Sequence, residues 1–395
     1  MTAASILARV GPLARTFGVV PLVMALFVGA AAAVQLTSSL PNLYAWWTPV
    51  ELVGHLARRA HVPTELVVGF AFGSACRALP LRATSFDWFR HLGRRRRLRG
   101  VLGAAFFVVV PPSTIANGWL PHDIVALAII GWWLGTREPS WAKLKRVTVE
   151  SVISLSLFVG VSYGYSITKA LVFSSVPPMD QALAELDRNL FGTDAYVVAA
   201  RWALAHPEVI TFCEQIYFRL FEHMAVGAVF LAGLGRADER NRYLASLATC
   251  YFLGAISYYL LPSLGPAFHD PDVFAYLREL APAASALQEL MLDNYRAVQS
   301  GSLEEVVPWT FAAAMPSLHV AHELLMLWYA RHSRPFFALS TLFTIGTIAA
   351  TSLLGWHYAV DWLGGALLTA LSFLIVRHLG RLAFPDRLWP SDTPA

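Results

Sequence analysis

Gly355-Trp356-His357-Tyr358-Ala359-Val360-Asp361-Trp362-Leu363-Gly364-Gly365 opens an apolar run that continues to about residue 378. A run of this length can cross a bilayer as a helix, for which roughly 20 apolar residues suffice. It begins with two ionisable side chains, which are costly inside a membrane unless they face a cavity or a partner. Ala314-Met315-Pro316-Ser317-Leu318-His319-Val320-Ala321-His322 has the same character, with His319 and His322 at the head of another apolar run. The composition of the 395-residue chain agrees, since 56% of residues are hydrophobic and 14% charged, with a mean hydropathy of +0.52. These values exclude an ordinary soluble domain.

Outward from these stretches, apolar runs of spanning character lie near 147 to 173, 209 to 234, 243 to 262, 316 to 331, 336 to 356 and 358 to 378. Four more lie near 17 to 36, 62 to 79, 101 to 118 and 120 to 135, the last two short. The first follows Arg9 and Arg15 and ends in Ala-rich sequence resembling a signal-peptidase site; it is read as a retained helix. The expected architecture is therefore all-α and polytopic. About four transmembrane helices (1–146, role unknown) precede a six-helix catalytic bundle (147–380) and a cytoplasmic tail (381–395).

The formal net charge of +4 sits in short clusters between apolar runs, which reads as a topology signal and not as a nucleic-acid surface. If the cluster Arg90, Arg94, Arg95, Arg96, Arg97 and Arg99 is cytoplasmic, strict alternation also places inside Arg137, Lys143, Lys145 and Arg146, then Arg236, Arg240 and Arg242, then Arg331 and Arg334, and finally Arg377, Arg381 and Arg387. Arg58 and Arg59, placed outside, and Arg219, placed within a span, run against this scheme. Both His-containing stretches then fall on the outer face. Two long outer segments, 174 to 208 and 263 to 315, carry Leu183, Leu186 and Leu190, and Leu287, Leu290, Met291 and Tyr295, at helical spacing. Such helices either lie in the interface plane or pack over the bundle. Cys76, Cys213 and Cys250 have no CxxC spacing and no His partners at zinc spacing, so neither disulfide nor metal is assigned.

His357 and Asp361 are four residues apart, which on a helix puts both on one face. A carboxylate bonded to Nδ1 fixes the imidazole tautomer and leaves Nε2 free as a base or nucleophile. The pair alone also fits a couple that satisfies itself inside a bundle. Around His319, Pro316 suits a first helical turn, and the amides after it are free to hold an anion. A His in that turn can protonate the oxygen leaving a phosphate bound there, although a lone His at a helix start also fits a cap or interface anchor. His322 and Glu323 are read as support for His319. Tyr217, Arg219, Glu222 and His223 are further polar groups within a span, with Arg219 and Glu222 at the spacing of a self-neutralising pair.

Together the two motifs resemble the type 2 phosphatidic acid phosphatase superfamily, over roughly residues 147 to 380. That family's second and third signatures are Pro-Ser-Gly-His, and Ser-Arg followed by His and then Asp four residues on. Here Pro316-Ser317-Leu318-His319 carries Leu in place of Gly, and Ala350 and Thr351 occupy the Ser-Arg positions. The first signature, Lys with a distant Arg-Pro, is replaced by Tyr259-Leu260-Leu261-Pro262-Ser263-Leu264-Gly265-Pro266. These departures are similar to the branch containing inositol phosphorylceramide synthase, as is Asp187-Arg188-Asn189-Leu190-Phe191-Gly192.

The resemblance implies that His357 attacks phosphorus, that Asp361 orients it, and that His319 protonates the leaving oxygen. It also implies no cofactor and no metal, and a substrate site at Ser317, Leu318, Tyr259, Gly265 and Pro266. The expected activity is transfer of a lipid phosphodiester headgroup, as from phosphatidylinositol, to a lipid alcohol through a phosphohistidine. Its partners would be membrane lipids, with no nucleic acid, and its site would face the extracytoplasmic side of an inner or plasma membrane. The alternatives are a lipid phosphate or polyprenyl-diphosphate phosphatase, and a non-catalytic transporter or scaffold.

Overall fold

A computed structural model describes residues 140–233, 237–302 and 310–383. The four N-terminal spans, the Arg90 to Arg99 cluster, Cys76 and the tail beyond 383 lie outside the described residues. Every regular element among the described residues is α-helical. The chain begins with α1 (Trp141–Ser175), capped by Ser140, whose Oγ accepts from the Lys143 amide at 3.2 Å. The outer segment that follows holds α2 (Asp180–Phe191) and α3 (Ala195–Ala205). Next come α4 (Pro207–Phe218), α5 (Leu220–Gly233) and the long α6 (Ala237–Leu260). The second outer segment holds α7 (Pro266–His269), α8 (Leu277–Leu280) and α9 (Pro282–Ser300), and the chain continues into α10 (Leu318–Ala330), α11 (Arg334–Leu353) and α12 (Ala359–Ala383).

Three of these helices are long and apolar enough to cross a membrane, over Asp238–Leu260, Phe336–Leu353 and Ala359–Gly380. They mark the chain as a membrane protein. Two of the expected spans differ. The run near 209 to 234 is not one helix but two, α4 and α5, which meet at Arg219 with φ −88° and ψ 1°. The run near 316 to 331 becomes the 13-residue α10, and at about 1.5 Å per residue it rises only ~20 Å, short of a hydrocarbon core of about 30 Å. Hydropathy reads apolar character correctly in both cases but is blind to a break at a residue such as Arg219.

The core lies where α1, α5, α6, α10 and α12 converge, around Tyr243, Leu247, Cys250, Leu325 and Met326, all nearly inaccessible. A second apolar cluster, with Ile210, Cys213, Leu277, Leu354 and Tyr358, binds the outer helices α2 to α4 and α8 to the end of α11. Because the long helices alternate in direction, their polar ends sort. At one end Glu150 meets Arg240, and Glu239 gathers Arg242, Arg331 and His332. The His357 and His319 stretches assemble at the other. The outer helices pack over that second end, and the buried face of α2 is Asp180, Leu183, Ala184 and Asp187, so one leucine of the stripe turns inward. Leu186 and Leu190 are exposed.

Candidate active site

The site starts from the N-terminus of α12, where four backbone N–H groups lack helical partners. All four are satisfied. Asp361, in the first turn, reaches back to accept from the Tyr358 amide at 2.9 Å, in the manner of a capping box. Asp187 of α2 accepts from the Ala359 and Val360 amides at 2.9 and 2.7 Å. The Asp361 amide donates to the Tyr358 carbonyl at 3.1 Å. The same Asp361 Oδ2 lies 3.2 Å from Nδ1 of His357, whose side chain is 1% exposed. His357 itself stands just before the helix, not on it, held by its amide to the Thr351 carbonyl at 3.0 Å. The pair therefore meets through cap geometry instead of the helical face that the spacing suggests.

A carboxylate at Nδ1 assigns the ring proton there, so Nε2 of His357 carries the lone pair. That Nε2 is 3.1 Å from Nδ1 of His319. The three residues thus form one line, Asp361, His357, His319, with His357 buried and His319 only partly so. Tyr217 stacks on both sides of the site, against His319 at 4.8 Å and nearly parallel to Trp356 at 5.0 Å and 5°. Tyr217 comes from α4, and no motif marks it as part of the site.

His319 is the second residue of α10. Pro316 lies ahead of the helix, and Ser317 is the cap, its Oγ accepting from the Val320 amide at 3.3 Å. The Leu318 and His319 amides bond to nothing among the described residues, which makes this the helix end open to an anion. The Ser317 amide donates to the Asp361 carbonyl at 3.1 Å, tying the two motifs together. A Cβ on Gly365 would stand 2.5 Å from the Ser317 carbonyl oxygen, so the Gly pair that ends the motif permits this contact.

The Pro-rich segment forms the third wall. Gly265 has φ +116°, a Cβ there would stand 2.5 Å from the Trp356 carbonyl oxygen, and Pro266 opens the short α7. The Leu264 and Gly265 amides donate to Asp180, which also accepts from the Tyr358 hydroxyl at 3.1 Å. Burial raises the Asp180 carboxyl above its ordinary value against the opposing pull of these donors, and burial does the same to Asp187 against the Ala359 and Val360 amides. The two aspartates of α2 therefore clasp the Leu264–Gly265 turn and the α12 cap.

Of the residues selected from sequence, His357, His319, Asp361, Ser317, Leu318, Gly265 and Pro266 come together. Tyr259 does not, being 60% exposed on α6, whereas its neighbour Tyr258 is buried and donates to the Ala312 carbonyl at 3.1 Å. Thr351, at the family's Arg position, accepts from the Trp362 indole at 3.2 Å. Glu323 is buried and paired with His223, whose Nδ1 is 3.0 Å away and whose Nε2 is 3.0 Å from Ser340. The expected Arg219 and Glu222 pair falls on a Glu222 side chain outside the description.

Residues 181–375 match the family model described as the PAP2 superfamily. That domain identifies the chain as an enzyme of the phosphatase or phosphotransferase type. No curated protein and no solved structure matches the chain.

Proposed function

We propose that this phosphatase- or phosphotransferase-type enzyme transfers the headgroup phosphate of a lipid phosphodiester to a lipid alcohol through a phosphohistidine at His357. The observation that carries the reading is the line from Asp361 through Nδ1 and Nε2 of His357 to Nδ1 of His319. It supplies an oriented nucleophile and, facing it, a group that can hold a proton. A phosphoryl group entering between the two rings has a nucleophile on one side and an acid on the other. The free Leu318 and His319 amides support its oxygens.

In the first step Nε2 of His357 forms a bond to phosphorus. The bond from phosphorus to the glycerol oxygen breaks, and His319 gives that oxygen its proton, releasing diacylglycerol. In the second, the acceptor hydroxyl gives its proton to His319 and attacks phosphorus, and the bond to His357 breaks. Splitting one displacement into two in this way lowers the difficulty of each.

The choice of donor follows from charge. A buried anion needs compensation, and a monoester carries up to two charges where a diester carries one. The motif segments offer few cations: there is no basic residue after Tyr243 until His269, and Thr351 stands where the family has Arg. A diester such as phosphatidylinositol fits this site better than phosphatidic acid. We place the site at the extracytoplasmic end because the opposite end gathers Arg240, Arg242, Arg331 and His332. The test is to assay purified protein with phosphatidic acid and, separately, with phosphatidylinositol plus ceramide or diacylglycerol. Headgroup transfer in the second assay is expected. Rapid release of inorganic phosphate in the first, with no product in the second, overturns the reading.

A further inference from the structure

Lys169 lies on α1, ahead of the segment that matches the PAP2 superfamily, and is 9% exposed. Its Nζ donates to the Phe311 carbonyl at 2.7 Å and stands 5.1 Å from the centre of the Tyr165 ring. An ammonium has three donors and no acceptor, so this bond leaves two N–H groups. Among the described residues no carboxylate forms an ion pair with it. Glu150, on the same helix, is taken by Arg240, while Asp180 and Asp187 accept from backbone amides. Burial disfavours the charged form of a lysine, and an anion arriving beside it favours that form again.

Phe311 belongs to the segment that delivers the catalytic turn. The Ala312 carbonyl is held by Tyr258, and the Ala314 and Met315 amides are held by the Ser263 carbonyl and hydroxyl, each at 3.0 Å. The Ala314 carbonyl lies against the His357 ring. Met315, Pro316 and Ser317 then lead into His319, the second residue of α10. The ammonium and the two imidazoles therefore border one short, pinned segment.

We propose that Lys169 binds the phosphoryl group, holding a non-bridging oxygen while His357 attacks, and that its single charge matches the site to a phosphodiester monoanion. This rests on the phosphoryl-transfer reading above and deepens it, because it brings into the site a helix that none of the motifs reaches. The binding claim does not depend on which lipid is the donor.

The test measures equilibrium binding of orthovanadate, a mimic of phosphorus under attack, to the full chain in detergent by vanadium-51 NMR. Variants Lys169→Gln, which can keep the hydrogen bond to Phe311, Lys169→Met, and Lys169→Arg are compared with the parent for thermal stability and vanadate affinity. The neutral variants should fold and bind vanadate about tenfold or more weakly, the loss expected for one hydrogen bond to a charged group, and Lys169→Arg should restore most of it. Parent-like binding in either neutral variant overturns the proposal, as does an Arg variant as weak as the neutral ones, or no vanadate binding by the parent. Failure of both neutral variants to fold also overturns it, making Lys169 a structural cation. If the parent releases phosphate from phosphatidic acid while Lys169→Gln loses vanadate binding, the donor assignment falls and the role of Lys169 stands.

Discussion

His357 owes its tautomer to one carboxylate, Asp361, and turns its Nε2 to one neighbour, His319. Replacing His357 or His319 by Ala removes the nucleophile or the proton carrier, so each variant should lose turnover while keeping the parent's thermal stability. Asp361→Asn keeps an oxygen or an amide near Nδ1 but can favour the wrong tautomer, a defect of about 10⁴-fold in the serine-protease triad; a residual rate of that order is expected in a steady-state assay. Tyr217 touches His319 and Trp356 by its ring. Tyr217→Phe should therefore keep near-normal turnover, and Tyr217→Ala should lose roughly tenfold through misorientation of His319, as for a stacked pair worth ~1 kcal/mol. The His357 and Asp361 pair was legible because both residues lie within one five-residue stretch. Tyr217 was legible only as a polar group within a span, and Lys169 not at all, because each comes from a helix whose sequence carries no signature for it.

At the scale of elements, α2 acts as a clasp. Its Asp187 holds the first two amides of α12 and its Asp180 holds the Leu264–Gly265 turn. Asp187→Ala should lower stability by about 1–2 kcal/mol, the usual value of a lost helix cap, and should lower turnover as well, since the freed end of α12 carries Asp361. Denaturation in detergent alongside the activity assay checks both. Parent-like activity in that variant would mean that the α12 cap does not position the site. Reading leucines at helical spacing found α2 as a helix, but of its three leucines only Leu183 is buried, beside Asp180 and Asp187. Its acids turn inward because unpaired amides there need acceptors, a demand that hydrophobic periodicity does not register. The break at Arg219 escaped for a similar reason, since apolar residues continue on both sides of it.

At the scale of the whole molecule, the alternation of Lys and Arg with apolar runs anticipated which helix ends share a face among the described residues. The ion pairs around Glu239 and Glu150 at one end, and the His motifs at the other, follow that order. The number of spans was less legible, because α10 is apolar yet short. A cysteine replacing Arg296, exposed on α9, should react with an impermeant thiol reagent from outside intact cells, and one replacing Lys143 should react only after lysis. Reversed labelling would put the site on the cytoplasmic side. The account as a whole depends on a covalent phosphoryl group at His357. Incubating the purified full-length chain with phosphatidylinositol labelled at phosphorus, quenching under alkaline conditions and mapping the label by mass spectrometry tests this directly. The account predicts label on His357, chased by added diacylglycerol or ceramide and absent in His357→Ala. Turnover without label on His357, or label that persists in His357→Ala, would contradict it.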